Sequence, residues 1–266
     1  MGEKIHLDFP SVGATENAML VAVLAKGTTV ISNAAMEPEI IDLQNFLNKM
    51  GAKITGAGTN EIIIQGVTKL KDTSYTVMPD RIEAGTLLCA TAITGGNIVL
   101  KKVTPEHLTP VLEKLKECGC DIEEGKDIIV MKAPKKLKAA EIKTMPYPGF
   151  PTDMQAIFVS ALCLAKGTSI VTENIFENRY KYTNELKRMG AKIVIEGRTA
   201  IIKGTKKLSK AVVEATDLRG GAALVLAALA VNGKTKVTNI QYILRGYENL
   251  DEKLNALGAK ITKEVE

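Results

Sequence analysis

The chain repeats itself four times at a period of about 70 residues, and that limits it to folds assembled from copies of one small unit. Met50-Gly51-Ala52-Lys53-Ile54 recurs as Cys118-Gly119-Cys120-Asp121-Ile122, as Met189-Gly190-Ala191-Lys192-Ile193 and as Leu257-Gly258-Ala259-Lys260-Ile261. A second landmark precedes each: Ala25-Lys26-Gly27-Thr28, Thr94-Gly95-Gly96-Asn97, Ala165-Lys166-Gly167-Thr168 and Val231-Asn232-Gly233-Lys234. Each copy reads as an apolar helix running into the first glycine, a short β-branched strand, and an amphipathic helix ending at the second glycine. Hairpin strands close the unit. In the first copy they are AKITGAG and EIIIQGV, joined by a turn around Thr59-Asn60.

The two helices of a copy differ in what they demand. The first, exemplified by Gly220 to Val231, is apolar almost all round and needs burial on every side. The second, exemplified by Glu177 to Met189, keeps a polar face. The packing that satisfies both clusters the first helices centrally and sets sheets and second helices around them. Three consecutive copies run from about Pro79, with one before them, and the boundary falls at Met78-Pro79, where the residue before proline is biased to extended backbone. The fourth copy ends soon after Ile261, with no closing hairpin strand expected.

Composition narrows the function classes. The formal net charge is +5 over 266 residues, and the basic run Lys132 to Lys143 has no interleaved aromatics on which bases would stack, so it reads as a solvated face. Nucleic acid is therefore not an expected partner. No apolar stretch has the roughly 20 residues of a membrane span, and the start is not signal-like, which leads to the expectation of a cytoplasmic protein. Cys118-Gly119-Cys120 has the wrong spacing for a zinc site, and Cys89 and Cys163 sit in apolar runs as small buried residues. No metal is expected. His6 and His107 read as surface or satisfied-core positions.

Arginine carries the chemical signal. There are 29 lysines and only six arginines, and four of the six, Arg81, Arg179, Arg219 and Arg245, fall where a helix is expected to begin. A helix start already carries roughly half a positive charge, so a cation there is unfavourable unless an anion joins the site. The planar guanidinium grips phosphate or carboxylate through two parallel hydrogen bonds, which lysine cannot do. Comparing copies sharpens this: the second helices of the first two begin with Glu39 and Glu106, those of the last two with Arg179 and Arg245. Ser11-Val12-Gly13 at the first helix start reads either as a plain N-cap with open backbone or as a diphosphate cradle. Asp80, Asp153 and Asp217 read as caps or as partners of nearby arginines. Asp153 has a catalytic reading as well, because Pro148-Gly149-Phe150-Pro151 stiffens the approach to it. Arg188, in a last helical turn, and Arg198, in a hairpin turn, read as structural.

Seven segments, LDFPSVGATEN (7–17), NAAMEPEI (33–40), PDRIEAGT (79–86), PGFPTDMQA (148–156), ENIFENRY (173–180), ATDLRGGAALV (215–225) and RGYENLDEKL (245–254), resemble the enolpyruvyl transferase family in its own order. They are most similar to its branch that moves the enolpyruvyl group of phosphoenolpyruvate to the 3′-hydroxyl of UDP-N-acetylglucosamine, the first committed step of peptidoglycan synthesis. The resemblance implies an α/β fold of repeated inside-out units in two domains of three units each, with the ligands between them. Residues 1–78 would then be the last unit of the first domain, on the UDP-sugar side, and residues 79–266 a second domain of three units. It implies a tetrahedral intermediate and no metal or organic cofactor.

Residue by residue, the resemblance makes Asp153 the general base and Thr152 and Ile175 sugar-nucleotide contacts. Ser11, Val12 and Gly13 become the UDP-binding turn, and Arg219 and Arg245 the grips on phosphoenolpyruvate. Arg179 and Asp217 lie near the reacting atoms, and Arg81 contributes to substrate binding. Family members also have an amino-terminal portion holding a lysine-asparagine pair and a mobile loop with a reactive cysteine and an arginine. The four cysteines here fall in repeat landmarks, so none corresponds to the loop cysteine. The expectation is a chain lacking that portion, inactive alone, with apolar surface exposed where its partners are absent. Two alternatives remain at this level: an EPSP-synthase-like member acting on shikimate phosphate, and a non-catalytic nucleotide-sugar binding protein.

Overall fold

The computed structural model describes residues 1–264. The chain forms two compact units, Met1–Pro79 with Pro146–Gly149, and Asp80–Met145 with Phe150 onward.

The first unit holds one copy of the repeat. Its elements are β1 (Lys4–His6), α1 (Val12–Ala22), β2 (Thr28–Ser32), α2 (Pro38–Lys49), β3 (Lys53–Thr55) and β4 (Glu61–Gln65). The sheet order is β1-β2-β4-β3, with β1 parallel to β2 and the remaining pairs antiparallel. Alternate residues of β4, Ile62 and Ile64, face a core that also takes Met19 from α1 and Ile40 and Leu47 from α2. Each such fully buried aliphatic contributes about 1.5–3 kcal/mol relative to exposure.

The second unit holds three copies. The first comprises α3 (Arg81–Thr94), β5 (Asn97–Lys101), a 3-10 turn at Pro105–Leu108, α4 (Thr109–Glu117), β6 (Asp121–Glu124) and β7 (Ile128–Lys132). The next comprises β8 (Glu141–Lys143), a 3-10 turn at Thr152–Met154, α5 (Gln155–Leu162), β9 (Thr168–Thr172), α6 (Thr183–Arg188), β10 (Lys192–Glu196) and β11 (Thr199–Lys203). The last comprises β12 (Val212–Glu214), α7 (Leu218–Leu229), β13 (Lys236–Thr238), α8 (Gln241–Leu244) and α9 (Leu250–Ala256). The sheets run β5-β7-β6, β10-β11-β9-β8 and β12-β13. Among the described residues no strand follows α9, in line with the short fourth copy.

The landmark glycines end the helices. Gly51, Gly119, Gly190 and Gly258 have φ of +90° to +101°, and Gly27, Gly95, Gly167 and Gly233 have φ of +74° to +126°. A side chain is strained there, which is why glycine recurs at both landmarks.

Within the second unit the apolar helices α3, α5 and α7 pack on one another, and every residue of α5 is buried. This is the central helix cluster expected from the sequence. The same expectation fails for α1: Leu20 is 50% and Val21 75% exposed. Its unit contributes a single helix of this kind, so among the described residues no second apolar helix of the same unit covers that face. A short strand that periodicity does not reveal, β1, β8 or β12, opens three of the four copies and pairs in parallel with the strand after the apolar helix. Three residues are too few to show a period of two.

Candidate active site

The first helices of the four copies begin alike, and one of them spends its acid differently. Asp80 caps α3 by accepting from the backbone N–H of Ile82 and Glu83, and Asp217 caps α7 by accepting from Gly220 at 2.8 Å. Ser11 caps α1 through Ala14 at 3.3 Å. Asp153, the corresponding acid of the third copy, lies in the 3-10 turn ahead of α5, and neither the turn nor α5 has a side-chain cap. Its carboxylate is free to act elsewhere.

Two guanidiniums take it. Arg179 Nη2 donates to Asp153 Oδ1 at 2.7 Å, and Arg219 Nη2 donates to Oδ2 at 3.0 Å. The arginines come from different copies, one from the turn before α6 and the other from the second position of α7. Their side chains are 19% and 12% exposed, against 39% for Asp153, so the carboxylate is the group that meets solvent. Each guanidinium also lies over an aromatic ring, Arg179 4.7 Å from Phe176 and Arg219 5.2 Å from Tyr247. Arg219 Nε and Nη1 are buried with no acceptor among the described residues. A buried guanidinium with donors to spare has the chemistry to grip a carboxylate or phosphate.

Burial alone would raise the carboxyl of Asp153, but the charges of Arg219 and Arg179, with a hydrogen bond from each, outweigh it and hold the group below its ordinary value of 3.8. A depressed folded value contributes stability that is present above the ordinary value and lost as pH falls through the folded one. Urea midpoints of the wild type are therefore expected to drop on acidification below roughly pH 4, and Asp153→Asn to remove that part of the drop.

A profile described as EPSP synthase (3-phosphoshikimate 1-carboxyvinyltransferase) matches residues 2–254. The chain belongs to the EPSP synthase family. Among the family's curated members, UDP-N-acetylglucosamine 1-carboxyvinyltransferase 2 of Caldanaerobacter subterraneus subsp. tengcongensis is 59% identical over 263 residues, covering 98% of this chain and 63% of the relative. The protein named UDP-N-acetylglucosamine 1-carboxyvinyltransferase 1 of Symbiobacterium thermophilum is 55% identical over 262 residues, covering 98% of this chain and 59% of its own length. The chain thus spans about three-fifths of these relatives. The solved enolpyruvyl transferase NikO from Streptomyces tendae superposes with a TM-score of 0.87 at 27% identity, over 97% of this chain and 64% of that one. EPSP synthase from Acinetobacter baumannii, at 22% identity and a TM-score of 0.75 over 98% and 64% of the two chains, shares the fold.

For this EPSP synthase family member the structure corrects two arginine placements. The second helix of the third copy starts at Thr183 rather than Glu177, so Arg179 sits in the preceding turn, free of the helix dipole and directed at Asp153. Arg245 is not at a helix start: it caps the end of α8, where a cation is favoured, and is exposed. The helix expected there is broken in two, and α9 begins only after Asn249 in the left-handed conformation. Arg81 does open α3, where it is buried and already engaged. Thr152 and Ile175 both bond Glu173, through a hydroxyl and a backbone N–H.

Two members of the cluster, Glu173 and Tyr247, carry no signal in the sequence. Tyr247, 2% exposed, underlies Arg219 and bonds Thr86 Oγ1 at 2.9 Å. Because the Thr86 hydroxyl donates to Ile82 O, the tyrosine is the donor. Tyr247→Phe keeps the ring under the guanidinium and loses this bond, so urea unfolding should show a loss of about 1 kcal/mol. The four cysteines are buried, which pushes Cys118 and Cys163 up to about 12 and Cys120 to about 11, with Cys89 also well raised. None is an activated nucleophile.

Proposed function

We propose that this chain carries the acid-base and anion-gripping part of a UDP-N-acetylglucosamine 1-carboxyvinyltransferase. The observation that carries the reading is the carboxylate of Asp153 held between guanidiniums from two repeats, with two buried donors of Arg219 unspent. The names of the curated relatives support the choice of substrates, phosphoenolpyruvate and UDP-N-acetylglucosamine.

In this reading Asp153, ionised at neutral pH, accepts the proton of the sugar 3′-hydroxyl as its oxygen attacks the enolpyruvyl carbon. The donor's methylene takes up a proton as the tetrahedral intermediate forms, and loss of a proton from the resulting methyl group, with departure of phosphate, restores the double bond on the sugar oxygen. Arg219 grips the carboxylate or phosphate of the donor, with Arg245 and Arg81 as further grips, and Arg179 and Asp217 lie near the reacting atoms. Preorganised cations of this kind stabilise charge as it moves, at no cost of reorganisation during the reaction. A held carboxylate is a weak base, and the donor corrects this. An anion that draws Arg219 away from Asp153 weakens the charge opposing protonation, so the base strengthens when phosphoenolpyruvate is bound.

Thr152 and Ile175 are assigned to the sugar nucleotide, as are Ser11, Val12 and Gly13. The division of the chain at Met78-Pro79 into a last unit of one domain and three units of another belongs to the same proposal, as do a cytoplasmic location and the lack of turnover by the 266 residues alone. Calorimetry with UDP-N-acetylglucosamine tests the reading: saturable binding to the wild type supports it. Tighter binding of shikimate 3-phosphate would instead place the chain with the shikimate branch.

A further inference from the structure

Strand register gives Glu173 counterparts in the other copies. Extending β1/β2, β8/β9 and β12/β13 by one residue pairs Leu7 with Asn33, Thr144 with Glu173 and Ala215 with Asn239. Lys102 follows β5 in the same way. Asn33, Lys102 and Asn239 are left-handed, at φ of +55°, +58° and +56°, and turn the chain out of the strand. Asn33 also ties back to its neighbour by donating from Nδ2 to Leu7 O at 2.7 Å. The third copy departs from this pattern. Glu173 lies outside the left-handed region, and its carboxylate is buried, with the residue 1% exposed.

Four donors converge on that carboxylate. Oε1 accepts from Thr144 Oγ1 at 2.8 Å, Ile175 N at 2.9 Å and Phe176 N at 3.1 Å, and Oε2 accepts from Thr152 Oγ1 at 2.9 Å. Burying a carboxylate without a cation costs several kcal/mol before such bonds offset it. A turn alone does not require the expense, since asparagine or lysine suffices in the other copies. The four bonds lead to one place. Thr152 belongs to the 3-10 turn that carries Asp153. Phe176 is the ring under Arg179, which bonds Asp153 Oδ1. Glu173 thereby braces a neighbour of each partner of the ion pair through a separate bond, the Thr152 hydroxyl beside Asp153 and the backbone of Phe176 beneath Arg179.

We propose that Glu173 is a positioning residue that sets the approach of Arg179 to Asp153 and, through the Ile175 backbone, the segment assigned to the sugar nucleotide. The proposal rests on Asp153 being the centre of the site, so the test has one arm that needs no substrate. In that arm the side-chain carboxyl of Asp153 is titrated by carbon-13 NMR in the wild-type chain, in Glu173→Ala and in Glu173→Gln. Removing a nearby negative charge can only lower the Asp153 titration, whereas loosening Arg179 raises it. The two effects have opposite signs.

Glu173→Ala is expected to raise the Asp153 titration. Glu173→Gln should leave it depressed, because the amide oxygen keeps its three donors and the amide nitrogen donates to the Thr152 hydroxyl. An unchanged or lowered titration in Glu173→Ala overturns the proposal, whatever the variant loses in stability. Should that variant not fold, Glu173→Asp, whose carboxylate is drawn back by one methylene, is expected to give the same upward shift, and no shift there overturns it equally. In the second arm the Kd for UDP-N-acetylglucosamine rises about tenfold in Glu173→Ala and returns in Glu173→Gln. A wild-type chain that does not bind the nucleotide sugar refutes the functional reading while leaving the titration to decide the role of Glu173.

Discussion

With the family's amino-terminal portion supplied alongside the chain, Asp153→Asn is expected to lower turnover by about 10²–10⁴-fold while the affinity for phosphoenolpyruvate holds or rises. The amide keeps the shape of the carboxylate but accepts no proton at neutral pH, so the sugar hydroxyl loses its base. The same change strips Arg179 and Arg219 of the charge both now hold at 2.7 and 3.0 Å. Two partly buried guanidiniums without a counter-ion are a stronger anion trap than two that are neutralised. Phosphate release gives the first quantity and calorimetry with phosphoenolpyruvate the second. Turnover within about tenfold of wild type would remove Asp153 from the base role. A weakened affinity would mean that the donor does not compete with Asp153 for these arginines.

Arg219→Ala is expected to act in the opposite sense, on binding first. The variant removes the guanidinium over Tyr247 together with both unspent donors, Nε and Nη1. Hydrogen bonds to charged groups are worth about 1.5–3 kcal/mol each, so losing two weakens phosphoenolpyruvate by about 10²-fold or more. Arg219→Lys should recover little of this, because one ammonium cannot reach Asp153, cover the Tyr247 ring and present a fork to the anion together. The stability cost of Arg219→Ala is smaller, about 1–2 kcal/mol, since Asp153 is 39% exposed and rehydrates once released. Calorimetry and urea unfolding on the same preparations separate the two effects. An alanine variant that binds phosphoenolpyruvate as the wild type does would end the assignment of Arg219 to the donor.

Much of the fold is legible in the chain because the repeat is carried by residues with strong local requirements. Gly51, Gly119, Gly190 and Gly258 announce helix ends through a backbone conformation other residues avoid. The apolar runs of α3, α5 and α7 announce central burial. The site is only half legible. Asp153 stands out through its prolines, and Arg219 through its place beside Gly220 and Gly221 at a helix start. Arg245 is misread because a heptapeptide such as RGYENLD looks like a helix beginning until Asn249 turns left-handed and splits it.

Glu173 and Tyr247 escape for a different reason. In sequence, Glu173 is one acid at a strand end and Tyr247 one aromatic in a polar stretch. Their importance lies in what they touch. Tyr247 meets Thr86 across 161 positions, and Glu173 meets Thr152 across 21 and Thr144 across 29. No local pattern encodes such pairs.

The sequence by itself determined the unit of construction, its four-fold recurrence, the helices that need burial and the concentration of scarce arginines near helix termini, because each of these is a local or periodic property of the chain. Only the tertiary structure decided which charges meet. The packing of α5 against α7 brings Arg219 to Asp153, and the turn before α6 brings Arg179 to the same carboxylate. Ion pairing depends on distance in space, and residues separated by 66 positions acquire that distance only when separate repeats share one core.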